Sequence, residues 1–427
     1  LDARQGGRPA GAQEGVAVPE TQKMVTAGES PSSIAQEAGP DMAGRLIEDG
    51  IHAMVPREKM AEAARRLRDT YAIAPGARLV RMEFGFFGLE RWKEEGMPQD
   101  VPLEVLFDYD PSGSHSLADL GWCEAAFCPA FEEKQTQDRG EHEVVQDVAG
   151  RHLLVFKGRR SGFMPEYLEH PVKDMATWER DVKWRLDPST PERFADLPAT
   201  AAKARAASAQ GMMIVQRIIG GYMYLRSLIG PVDLLMAFYD QPQLIHDCMK
   251  AWFELADAVT TRHQEHVTFD EVFFGEDICY NKGPLISPEM IREFLFPYYQ
   301  LLLSNIKSRQ IDKTRRLHFQ LDTDGYAPSV IDLYREIGMD AMSPFEVASG
   351  CDVVELGRQY PHLVMSGGID KRVLSKTKHE IDVYLERVLP PMRERGGYIP
   401  TCDHGVPEEV SYGNYLHYRK RCVELGG

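Results

Sequence analysis

The sequence holds no run of about 18 apolar residues, so it predicts no membrane-spanning helix. It has no excess of positive charge: 49 Lys and Arg against 65 Asp and Glu leave a net charge of −16 at pH 7, with a pI of about 5.3. So acidic a chain is a poor partner for a phosphate backbone, which argues against nucleic acid. Net charge does not govern any single cleft, so a local basic pocket stays open. Paired cysteine spacing is also missing. The seven cysteines, at 123, 128, 248, 279, 351, 402 and 422, are scattered and odd in number. That pattern suggests a reducing compartment, hence a cytoplasmic location. Cys123 and Cys128 form C-x4-C without a second pair, which argues against a zinc knuckle. Residues 1–40 have little apolar periodicity and no apolar core of the signal-peptide type. Rich in Gly, Ala, Pro, Ser, Glu and Gln, they are expected to be a disordered extension.

What is present is a repeated grammar between Arg315 and His404. Four apolar runs each end in a polar or glycine-rich cluster: Leu317–Leu321 before Asp322-Thr323-Asp324-Gly325, Met339–Pro344 before Phe345-Glu346, Leu363–Met365 before Ser366-Gly367-Gly368-Ile369-Asp370, and Tyr398–Thr401 before Cys402-Asp403-His404-Gly405. Helical segments separate them. Strand, reactive cluster, helix, strand predicts a (β/α)8 TIM-type barrel, whose active site forms where the strands end. The alternative is a doubly wound sheet with polar turns.

The rest of the chain from residue 41 extends the barrel reading. Eight strand starts are expected, at Leu79, His152, Met212, Glu271, Arg316, Met339, Leu363 and Gly397. Helices are expected over Pro56–Tyr71 and Lys173–Leu186, and over Pro242–His263 with Asp240 as its cap. Ser287-Pro288-Glu289 opens another helix, which Pro297 should kink. Residues 99–150 read as an irregular insertion or β-hairpins.

Several of these clusters resemble one family. His318-x-x-x-Asp322-x-Asp324-Gly325, Pro344-Phe345-Glu346-Val347-Ala348-x-Gly350-x-Asp352, Gly367-Gly368-Ile369-Asp370-Lys371 and Gly396-Gly397-Tyr398-Ile399-Pro400-x-Cys402-Asp403-His404 are similar to the uroporphyrinogen decarboxylase superfamily. Glu83-Phe84-Gly85 with Arg91-Trp92, and Tyr167-Leu168-x-His170-Pro171-Val172, extend the likeness. It implies a TIM-type barrel that is either a haem-pathway decarboxylase or a cobalamin-linked methyltransferase. The decarboxylase branch carries an arginine-rich run that holds tetrapyrrole carboxylates. Here the comparable strand end reads Arg81-Met82-Glu83-Phe84-Gly85-Phe86, and Glu83 cannot act as a cationic clamp. The methyltransferase branch binds zinc through His-x-Cys and a second Cys about eighty residues later. This chain has His318-x-Gln320, with Cys402 84 residues beyond His318.

The resemblance therefore implies zinc held by His318 and Cys402, with a carboxylate in place of the missing thiolate: Glu346 first, Asp322 second. An open fourth position would polarise a leaving group or deprotonate a substrate thiol. His404 is expected as a general acid or base, Asp277 as a proton acceptor or substrate contact, and Glu83 as a proton donor or cation site. Phe86, Asp322 and Asp324 are expected to touch substrate. Gly367 and Gly368, with Asp370, are expected to allow close approach of a cofactor. The leading expectation is a metal-dependent methyltransferase that moves a methyl group between a small donor or acceptor and a corrinoid on a carrier protein. A second copy of the chain, as a homodimer, is a further expected partner. A metal-free decarboxylase and a non-catalytic corrinoid- or porphyrin-binding barrel are the alternatives.

Overall fold

The computed structural model describes residues 57–158 and 165–427; the expected extension over residues 1–40 lies outside them. The strands are β1 (Ser114–Leu120), β2 (Lys134–Arg139), β3 (His142–Gln146), β4 (His152–Phe156), β5 (Glu166–Glu169), β6 (Met213–Ile219), β7 (Glu271–Gly275), β8 (Cys279–Tyr280), β9 (Gly283–Pro284), β10 (His318–Asp322), β11 (Ala341–Ser343), β12 (Val364–Ser366) and β13 (Tyr398–Ile399). Seven of them form one sheet in the order β1-β6-β7-β10-β11-β12-β13, and every pair is parallel. The extended segment 79–87 takes the eighth position. Phe86 bridges Val406 beyond β13, and the Asp110 N–H just before β1 donates to the Arg81 carbonyl. The result is the expected TIM-type barrel.

Two expected staves change. His152 does begin a strand, but β4 belongs to a separate antiparallel sheet, β2-β3-β4-β5. The second barrel stave is β1, which lies within the stretch read as irregular. Its sequence, Ser-His-Ser-Leu-Ala-Asp-Leu, has no apolar run to announce it. The segment 79–87 shows only a single bridge rather than a ladder. Asp240 ends the helix Pro231–Asp240 and does not cap the next one, which starts after Gln241. The segment Lys173–Leu186 is broken into an α-turn, a π-helical turn and a 3-10 turn. At Ser287 the expected cap is present, its hydroxyl accepting from the Met290 N–H. A π-helical turn, Ile291–Leu295, precedes Pro297, which stands in the first turn of the helix Phe296–Arg309, where proline is tolerated.

Alternation along the strands sorts two cores. Ile214, Ile218, Val272, Phe274, Phe319, Leu321 and Met365 pack against the helices. The intervening residues of β6, β7, β10 and β11 turn into the barrel, and many are polar: Arg217, Glu271, His318, Gln320, Asp322 and Ser343. A small apolar plug of Tyr71, Met213, Ala341 and Val364 closes the floor. Beside it, buried Asp270 accepts from Arg68 at 2.8 Å, from Arg315 at 2.9 Å and from the Ile214 N–H at 2.7 Å. These charge-assisted bonds tie the helix Arg57–Tyr71 to the strand starts.

Gly367 shows how closely the turns pack. Its φ is +101°, and a Cβ there would lie 1.9 Å from the Pro344 carbonyl oxygen. Gly367→Ala should therefore destabilise the fold by about 1–3 kcal/mol. Gly413→Ala, on a helix with open space around it, should be neutral or stabilising. Urea unfolding midpoints check both.

Candidate active site at the barrel mouth

Every stave runs the same way, so the strand ends gather at one face. The loop after β7 delivers Glu276 and Asp277. Glu276 is fully buried and accepts from Tyr299 at 2.7 Å, from Tyr334 at 3.0 Å and from the Tyr222 N–H at 3.3 Å. Burial still pushes its carboxyl up to about 7. This anchor sets the backbone of Asp277, whose φ of +45° is unusual for a residue with a side chain. Asp277 pairs with Arg226 from the helix after β6. The last residue of β10 is Asp322, and the loop after it delivers Asp324. Burial raises Asp322 to about 6 against the opposing pull of Ser343 and Arg217. Burial, then repulsion from Asp277, Asp322 and Glu346, raises Asp324 to about 8. The Asp324 side chain keeps 43% of its surface open. Water there screens part of the repulsion, so about 8 marks the top of its range.

On the far side, His404 Nε2 lies 4.0 Å from Asp324. Burial and the nearby Lys371 charge lower its affinity for a proton, which keeps the imidazole neutral near pH 7. Its ring stacks on Phe87 at 5.9 Å and meets Phe84 at 5.3 Å. Lys371 lies 3.7 Å from both Glu346 and Asp403. Glu346 accepts from the Gly325 N–H at 2.9 Å, and Asp403 from the Val347 N–H at 2.9 Å. Arg217 lies over the Trp122 and Phe273 rings, at 4.5 and 4.7 Å. The cations at this face are thus matched by carboxylates or rings.

The expected residues divide into two groups. His404, Asp277, Asp322, Asp324 and Glu346 do meet at the mouth. His318 and Cys402 do not meet. His318 is the first residue of β10, paired with Glu271 at the start of β7. Its Nδ1 lies 2.9 Å from Asp340, and its ring is 4.8 Å from Tyr71 on the floor. Cys402 lies past the end of β13, fully buried. Burial, then the charges of Glu83 and Asp403, hold its thiol far from ionisation. Parallel strands put these two positions at opposite ends of the barrel, so they cannot share one ion. Among the described residues, no three His, Cys, Asp or Glu side chains converge in a way that could hold a metal. The residues present therefore do not fit the expected zinc.

The remaining expectations are also revised. Glu83 is buried and saturated, accepting from the Cys402 N–H at 2.7 Å, the Phe84 N–H at 3.1 Å and the Tyr415 hydroxyl at 3.0 Å. It locks the segment 79–87 to the last stave. Phe86 packs into the wall against Trp92, Phe107 and Tyr415; Phe84 and Phe87 are the rings that reach His404. Gly367 and Gly368 fit against Pro344 and Val353, and Asp370 caps the helix Lys371–Leu374. Their placement is explained by packing. Sequence reasoning missed Arg217, Arg226, Lys371, Trp122 and Cys123. Cys123 follows β1, and the unrecognised stave hid its place at the mouth. Its residue surface is exposed, yet burial of the thiol pushes it up to about 12.

The family described as uroporphyrinogen decarboxylase (URO-D) matches residues 164–423. No curated protein matches the chain. Among solved structures, a methyltransferase from Methanosarcina mazei superposes with a TM-score of 0.53 at 13% identity, covering 85% of this chain and 98% of that one. Xylanase B from Clostridium stercorarium F9 gives 0.30 at 11% identity, covering 52% and 75%.

Two outcomes follow from the geometry. Cys402→Ser and His318→Asn should leave the metal content of the purified protein unchanged by element-specific X-ray fluorescence. Parallel loss of zinc from both variants would restore the discarded ligand pair. Asp277→Asn, by removing a neighbouring negative charge, should move the Asp324 titration down from about 8, as read from carboxyl resonances.

Proposed function

Because the chain belongs to the uroporphyrinogen decarboxylase family, we propose that its mouth transfers a methyl group from a small neutral or cationic substrate to a nucleophilic acceptor. In this reading the acceptor is a corrinoid presented by a carrier protein, Asp324 is the proton donor and Asp322 the proton acceptor. The observation that carries the reading is the pair of carboxyls at the end of β10 and two residues beyond it, raised to about 6 and about 8. Two acids whose environments push them apart are suited to opposite roles. Of the two, Asp324 holds its proton more tightly and Asp322 gives its proton up more readily.

The matched charges speak against a polycarboxylate substrate. Arg226 faces Asp277, and Lys371 faces Glu346 and Asp403. A tetrapyrrole with many carboxylates needs unengaged arginines; this acidic mouth would repel it. A neutral or positively charged methyl donor meets no such barrier, and Phe84, Phe87 and Trp122 offer it apolar walls. During transfer the bond from methyl carbon to substrate heteroatom breaks, and its electron pair stays on the heteroatom. With a neutral ether or thioether donor the leaving atom becomes an anion and Asp324 supplies the proton that neutralises it; a cationic donor leaves neutral and takes none. His404, neutral and 4.0 Å away, then passes a proton back by accepting on one ring nitrogen and giving from the other. No step is routed through a zinc ion.

The test offers a methyl ether, a methylamine and a methyl thioether in turn, each with free cobalamin in its Co(I) state, and follows the visible spectrum. One donor class should give methylation. Asp324→Asn should slow it by about 10²-fold or more. The rate should be highest between about pH 6 and about pH 8, falling below as Asp322 takes up a proton and above as Asp324 loses its own. Carbon dioxide release from a tetrapyrrole carboxylate, with no methylation from any donor, would overturn the reading.

A further inference from the structure

We propose that Lys371 is a catalytic residue: its ammonium donates a hydrogen bond to a lone pair of the atom that carries the methyl group. The site then takes a neutral methyl ether or thioether and discriminates against a donor with no lone pair, an assignment that rests on methyl transfer taking place at this mouth. Lys371 is reached through the turn after β12. The Ile369 N–H donates to the Thr401 carbonyl at 3.1 Å, and the Asp403 N–H donates to the Ile369 carbonyl at 2.9 Å. Asp370 then caps the helix Lys371–Leu374. These bonds fix Lys371 beside the cluster that follows β13, with its side chain 25% exposed.

The charge of Lys371 is matched, but its donors are not spent. Glu346 and Asp403 each approach its Nζ only to 3.7 Å, outside hydrogen-bond distance. Among the described residues the ammonium makes no hydrogen bond, which leaves its three N–H groups for a ligand. A lysine that served only to neutralise two acids would close to about 2.8 Å on one of them. Here both acids are held by other donors. Glu346 accepts from the Gly325 N–H at 2.9 Å and from the Ser349 hydroxyl at 3.3 Å. Asp403 accepts from the N–H of Val347 at 2.9 Å and from that of Lys371 itself at 3.4 Å. The charge of Lys371 also acts on Asp324 and His404, and the His404 ring lies against Phe84 and Phe87. A spare cationic donor, a proton donor and apolar walls therefore converge.

Lys371 gives a hydrogen bond in this step, not a proton. Its N–H holds the ether oxygen or thioether sulfur through a lone pair. The bond strengthens as that atom gains negative charge, which is the condition for lowering a barrier. The bond from methyl carbon to heteroatom breaks, and its electron pair stays on the heteroatom. The methyl carbon bonds to the nucleophilic acceptor. Asp324 gives the proton that makes the product an alcohol or thiol, and its carboxylate is left within the field of Lys371. The lysine keeps its three protons throughout. A quaternary or protonated amine has no lone pair on the methylated atom. It leaves the hydrogen bond unmade and meets a like charge.

The test measures binding and needs no turnover. Dissociation constants of anisole, of its alkane isostere ethylbenzene and of phenyltrimethylammonium are measured on the full chain by ligand-observed NMR. Anisole should bind about fivefold or more tighter than ethylbenzene, the worth of one hydrogen bond. Phenyltrimethylammonium should bind more weakly than anisole. In Lys371→Met, checked for folding by near-UV circular dichroism, the preference for the ether over the alkane should vanish. If Lys371 only neutralised Glu346 and Asp403, its loss would weaken both ligands alike, which overturns the proposal. The unaltered chain gives a second readout that does not depend on the folding of that variant. The Lys371 ammonium nitrogen signal, assigned by its loss in Lys371→Arg, should move with anisole and stay in place with ethylbenzene. Equal affinity for the two, tighter binding of phenyltrimethylammonium or an unmoved ammonium signal each overturn the proposal. These affinities are read without a methyl acceptor, so failure of the methyl-transfer assay would leave them untouched.

Discussion

In a barrel of parallel strands, the position of a residue along its stave decides which end of the molecule it serves, and its parity decides whether it faces the interior. His318, Gln320 and Asp322 share the inward face of β10. One begins the strand, one sits midway and one ends it. The first belongs to the floor with Tyr71 and Asp340, and the last to the mouth with Ser343 and Arg217. A distance of two pleats therefore separates a residue that supports the floor from one that can touch substrate. The zinc expectation failed on this point. The motif was real, but its imidazole lies too early on the strand to meet Cys402.

The interior polar side chains set the second constraint. Water is largely excluded from a barrel of this size, so each polar group must find a partner within it. Asp270, Glu83 and Glu276 each do so with three or more donors. They act as ties: Asp270 between floor helix and strands, Glu83 between the first and last staves, Glu276 beneath the mouth. Asp322 and Asp324 have fewer donors and more acidic neighbours. The same chemistry that ties the wall together leaves these two available for proton exchange.

Much of the barrel was legible in the chain itself. Glu271–Gly275 and Met213–Ile219 are strong apolar runs, buried along their length, and they formed close to the expected limits. β1 was invisible because its residues alternate weakly and its neighbours supply the burial. His152 misled for the opposite reason. Leu153, Leu154 and Val155 form a good strand, but they pair antiparallel with β3 and β5 outside the barrel. Local pattern announces a strand without naming its partners. Losing β1 also concealed Trp122 and Cys123 at the mouth.

The sequence by itself determined that polar clusters follow apolar runs, and hence that a barrel would gather His404, Asp277, Asp322, Asp324 and Glu346 at one end. It could do so because strand direction and side-chain alternation are local properties. Only the tertiary structure decided that Glu83 is a tie, that Phe87 rather than Phe86 faces His404, and that Asp322 and Asp324 differ in their hold on a proton. Those outcomes depend on burial, and on charges brought close from Arg217, Asp277 and Lys371. Such proximity arises only when staves distant in the chain close into a ring.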